Sequence, residues 1–95
     1  MRERDIEAHL VKRVKALGGE VRKVQWIGRR GAPDRLVMVP FQGKSPSQRC
    51  TIWVELKATG EKPEPHQVRE HARMFRMGQH VVVIDSIEGV EALLA

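Results

Sequence analysis

Ninety-five residues, 41% of them hydrophobic and 31% charged, describe one small globular domain over 1–95 and exclude a disordered chain. Seventeen Lys and Arg against twelve Asp and Glu leave a net charge of +5, a balance that favours a polyanionic partner such as DNA or RNA. Cys50 is the sole cysteine, which excludes an intramolecular disulfide and a cysteine-based zinc site, and no apolar run approaches the roughly 20 residues of a membrane span.

The N-terminus, Met-Arg-Glu-Arg-Asp, is charged rather than apolar, so no secretory segment is expected and the chain is assigned to the cytoplasm. Residues 3–17 are predicted helical, because Ile6, Leu10, Val14 and Leu17 recur at spacings of three and four before Gly18-Gly19 stops the helix. A strand is expected over 20–26, then a basic turn over 27–33 with two glycines and a proline. Residues 34–39 form a short apolar strand closed by Pro40, 41–49 a polar loop, and 50–57 a second strand. The two strands and the loop make a hairpin. A turn from Gly60 to Pro65 leads to a helix over about 66–77, ended by Gly78. Val81 to Ile84 is predicted to be a buried strand, and Ser86 caps a last helix over about 87–94. The order α-β-β-β-α-β-α gives an α/β domain with a central sheet flanked by helices. Aromatic residues are few (Trp26, Phe41, Trp53 and Phe75), which argues against a single-strand binder that stacks bases on aromatic platforms.

Chemistry concentrates at Pro33-Asp34 and at Glu55-Leu56-Lys57. Side chains alternate along a strand, so Glu55 and Lys57 share a face, and the hairpin brings the end of its second strand beside the start of its first. Asp34 is therefore expected close to Glu55. Two carboxylates and an ammonium then converge, a set suited to a hard divalent ion and a phosphodiester. Carboxylates and lysines also occur on exposed strands simply to keep edges soluble, so spacing alone does not decide the matter.

The run Gly31-Ala32-Pro33-Asp34-Arg35, then Val54-Glu55-Leu56-Lys57, then Gln67, closely resembles the virus-type replication-repair nuclease (VRR-NUC) family of the PD-(D/E)xK superfamily. The likeness extends from about residue 5 to the C-terminus and includes Ile6-Glu7 and Val83-Ile84-Asp85. It implies a restriction-endonuclease-like core with a mixed sheet, and an Mg²⁺- or Mn²⁺-dependent endodeoxyribonuclease leaving 5′-phosphate and 3′-hydroxyl ends. By that pattern Asp34, Glu55 and the Leu56 backbone carbonyl are metal ligands, with Glu7 joining them directly or through water. Lys57 is the catalytic lysine, and Gln67 positions lysine or phosphate. Stand-alone members are similar to Holliday-junction resolvases, which implies a homodimer acting on branched DNA in DNA repair. For a viral or phage protein the place of action would be the host cytoplasm.

Several of these residues have a second, plainer reading. Glu7 borders the buried stripe of the first helix, where most glutamates merely reach water, and Glu3 one turn earlier is its rival for the site. Gln67 opens a helix just after Pro65, a place where glutamine is common for local reasons. His66 and His71 stand five residues apart, a spacing that does not put two zinc ligands on one helical face, and His9 and His80 have no partner spacing. Arg29, Arg30 and Arg35 flank the acids and are candidates for phosphate contact, although Arg35 also fits a solvent-facing strand position. Arg69, Arg73 and Arg76 form a stripe of the kind that is usually solvated.

Two other functions compete with the nuclease: a non-catalytic nucleic-acid-binding or assembly module, and a restriction-type enzyme that reads bases. Intact acids facing a phosphate argue against the first, and the absence of spare length for groove-reading segments argues against the second.

Overall fold

The N-terminal helix forms where the apolar spacing predicts it. In the computed structural model, which describes residues 1–40 and 50–95, α1 spans Glu3–Ala16 and buries Ile6, Leu10 and Val14 completely. Glu3 and Asp5 in its first turn and Arg13 and Lys15 in its last complement the helix dipole. The Gly18-Gly19 turn returns the chain so closely that a Cβ on Gly19 would lie 2.3 Å from the Met38 carbonyl oxygen. Only glycine permits that approach.

Four strands follow: β1 (Glu20–Lys23), β2 (Arg35–Val39), β3 (Cys50–Leu56) and β4 (His80–Ile84), hydrogen-bonded in that order. The β1–β2 and β2–β3 pairs are antiparallel, and β3–β4 is parallel, so the sheet is mixed. Parallel neighbours need a crossover. Here it is α2 (Pro65–Arg76), which lies against β4. The last helix, α3 (Ile87–Leu94), starts at Ser86, whose Oγ accepts a 2.9 Å hydrogen bond from the Gly89 amide.

Alternation divides the sheet into two different faces. Ile52, Val54 and Leu56 of β3 join Ile6, Leu10, Val14, Val37, Ile84 and Val90 in the core beneath α1 and α3. Burying each such side chain is worth about 1.5–3 kcal/mol, which fixes the register of the central strands. The intervening Trp53, Glu55 and Lys57 project to the opposite face, where α2 supplies Glu70, His71 and Met74. This second face is the polar one.

Three expectations need revision or restriction. The first strand stops at Lys23 rather than 26. The Val24 amide still donates to the Asp34 carbonyl at 2.9 Å, but the Trp26 indole N–H turns back to the Pro33 carbonyl, also at 2.9 Å, and the chain leaves the ladder. The last strand is less buried than its apolar run suggests, because it lies at one edge of the described strands: Val83 is 41% exposed and only Ile84 is fully covered. The predicted polar loop over 41–49 lies outside the described residues. Among the described residues no helix is long and apolar enough to cross a membrane.

Candidate active site

The site grows from the β2–β3 register. Arg35 pairs with Val54, so one step toward the strand end Asp34 stands opposite Glu55. Glu55 and Lys57 are two residues apart and share the polar face, as alternation requires. Glu55 is only 9% exposed. Burial pushes its carboxyl up to about 7, against the pull of Lys57 and with further upward pressure from the charges of Asp34 and Glu3. Metal-free, the pair is thus one in which Glu55 tends to keep a proton.

Arg35 occupies the space between two acids. Its guanidinium pairs with the Glu7 carboxylate, and its Nη1 lies 2.8 Å from Asp34 Oδ1. The Arg35 side chain is 14% exposed, so the solvent-facing alternative is not what the structure has. Glu7 consequently meets Asp34 through Arg35, whereas Glu3 is the helix-borne acid that acts on Glu55 electrostatically. Gln67 is engaged locally, its Oε1 accepting from the Glu64 amide at 2.8 Å at the start of α2. The Lys57 amide donates to the Ile84 carbonyl at 2.9 Å and so holds the lysine's backbone at the parallel β3–β4 junction.

The basic turn is anchored on α2 by a residue that the sequence did not single out. Glu70, 2% exposed, accepts from Arg29 Nε at 2.9 Å, from Arg73 Nε at 2.9 Å and from Arg73 Nη2 at 2.6 Å. The Arg29 and Arg73 hydrogen bonds hold its carboxyl below the usual range despite its burial. Gly31, with φ of +87°, lets the turn approach α2, since a Cβ there would lie 2.7 Å from the His66 carbonyl oxygen. Arg30 is exposed on the same turn. His71 was also missed. Its Nε2 is buried without a hydrogen-bond partner, 3.7 Å from Glu55 Oε1. The signal for both was available: residues 67, 70, 71 and 74 share one helical face, which turns inward.

The donors suit a hard divalent ion. Among the described residues no three carboxylate, imidazole or thiol side chains stand close enough to hold an ion by themselves. Two carboxylates completed by a backbone carbonyl, water and substrate phosphate are the ordinary surroundings of Mg²⁺. A cation there would favour the ionised form of Glu55, against the upward pull of burial and of Asp34.

Comparison with known proteins points the same way. A solved structure described as "VRR_NUC domain" superimposes with a TM-score of 0.81 at 39% identity, covering 97% of this chain and 92% of that one. The protein named "Putative nuclease p44" of Acyrthosiphon pisum secondary endosymbiont phage 1 is 52% identical over 86 residues, 90% of this chain and 85% of that protein. The chain belongs to the VRR-NUC family. No family model matches it. As a VRR-NUC protein it has the restriction-endonuclease-like fold that its motif residues implied, and its function is of the nuclease type.

Proposed function

We propose that this VRR-NUC chain is a divalent-metal-dependent DNA endonuclease selective for branched substrates and active as a homodimer. The observation that carries the reading is Asp34 opposite Glu55 with Lys57 on the same face. Asp34, Glu55 and the Leu56 carbonyl are the groups that would hold Mg²⁺ or Mn²⁺. Such an ion, when bound, polarises the phosphoryl oxygen and stabilises charge on the attacking and leaving oxygens.

The remaining residues act around that centre. Lys57 orients the attacking water or stabilises charge developing on the phosphate. Arg35 fixes the Asp34 carboxylate from one side and is itself fixed by Glu7. Arg30, and the N–H groups of Arg29 not used on Glu70, grip the phosphates flanking the scissile bond. Gln67 braces the start of α2 beneath them. A two-fold assembly would supply two such centres for the two symmetric strands of a four-way junction.

The test incubates wild type, Asp34→Ala and Lys57→Ala with labelled four-way, flap and linear DNA in Mg²⁺, Mn²⁺ or EDTA. Cleavage of branched DNA that needs metal and both residues supports the proposal. Binding without cleavage under every condition overturns it in favour of a non-catalytic module, and sedimentation showing only monomer removes the junction-resolving form.

A further inference from the structure

Beside Asp34 opens a groove of about 610 Å³ whose aromatic wall the chemistry above does not use. Lys23, Gln25, Trp26, Arg29 and Ala32 line it together with Asp34. That volume lies in the range of small-ligand sites, and the lining joins one large aromatic ring to two cations. We propose that the groove takes one unpaired nucleotide of the DNA strand, its base stacked on Trp26 and its phosphate beside Arg29 and Lys23. The assignment rests on the nuclease reading, because it places the adjoining phosphodiester at Asp34.

The Trp26 ring is held for this purpose at two points. Its N–H donates to the Pro33 carbonyl at 2.9 Å, and the ring packs on Trp53 with centroids 5.1 Å apart and planes tilted by 49°. Trp53 is in turn fixed through its N–H to Gln79 Oε1 at 3.1 Å. Trp26 nevertheless stays 36% exposed and lines the groove. A large ring kept rigid and partly in water loses little conformational freedom when a base covers it. Two of the four aromatic residues therefore build a single stacking position, where an extended platform would need more.

The groove's shape also selects among forms of DNA. Inside a duplex both faces of a base are already stacked, so the indole gains nothing there unless the base is first extruded. An unpaired nucleotide, at a fork or a branch point, offers its face without that cost. Lys23 and Arg29 attract the backbone and offset the negative charge of Asp34 in the groove's lining. Selection for a branch thus comes from one base next to the cut, within a single subunit.

The experiment follows tryptophan emission of wild type in EDTA, which prevents metal-dependent cleavage, with a short oligothymidylate, a forked duplex and a blunt duplex of the same sequence. Single strand and fork are expected to quench, and the blunt duplex to leave emission near its starting value. By fluorescence anisotropy Trp26→Ala should bind the fork about tenfold more weakly with its duplex affinity unchanged, while Trp26→Phe retains most of the fork affinity. Equal quenching by the blunt duplex, quenching by none of the three, or an Ala variant that binds the fork as well as wild type, or loses affinity for all DNA alike, overturns the proposal. If the Ala variant fails to fold, the wild-type quenching and the Phe variant decide. Stacking without later cleavage in Mg²⁺ defeats the nuclease reading alone, and cleavage without stacking defeats this inference alone.

Discussion

His71 Nε2 lies 3.7 Å from Glu55 Oε1, beyond hydrogen-bond length on the polar face of the sheet. Burial lowers the imidazole's pKa and raises the carboxyl's to about 7, so each is driven toward its neutral form. Among the described residues Nε2 has no hydrogen-bond partner.

The first prediction concerns pH. The folded protein holds the Glu55 proton more tightly than the unfolded chain does, from an ordinary value of 4.5 to about 7. Unfolding releases that proton, so stability is fullest below the ordinary value, falls as pH rises toward about 7, and stays reduced above it. At about 1.4 kcal/mol per pH unit the penalty at pH near 8 has an upper bound of about 3–4 kcal/mol. Glu55→Gln should therefore raise the metal-free melting temperature at that alkaline pH and have little effect near the ordinary carboxyl pKa. Thermal melts across the pH range check both ends.

The two acids of α1 should differ in kind. Glu3→Gln removes a like charge from the field of Glu55 and should lower that carboxyl's pKa, as followed by carbon NMR titration. Glu7→Gln breaks the pair with the half-buried Arg35 and should mainly cost stability, about 1–3 kcal/mol by urea denaturation.

Glu70→Ala should also destabilise the fold by about 1–3 kcal/mol, because it leaves Arg29 and Arg73 without their shared acceptor. The same variant should loosen the turn over 27–33, seen as faster amide exchange at Gly31 and Ala32. Unchanged exchange there would show that the turn is held by other means.

What could be read beforehand followed repeating patterns. Ile6, Leu10 and Val14 announced α1, and Ser86 announced α3. The hairpin rule put Asp34 close to Glu55, because antiparallel pairing sets the end of one strand beside the start of the other. Contacts between remote segments were not legible. Nothing local to Glu70 shows that it receives Arg29, 41 positions away, and His71 was weighed only as a zinc ligand. Trp26 and Trp53 likewise meet only after the sheet has formed. For Gln67 only a local role at the helix start was legible, and its contact with the Glu64 amide was not.

The central claim is that Asp34 and Glu55 together hold a divalent ion, and calorimetric titration of Mn²⁺ into wild type, Asp34→Asn and Glu55→Gln measures it directly. Binding to wild type, weakened at least about tenfold in each variant, is the predicted result. Equal affinity in all three proteins would contradict it.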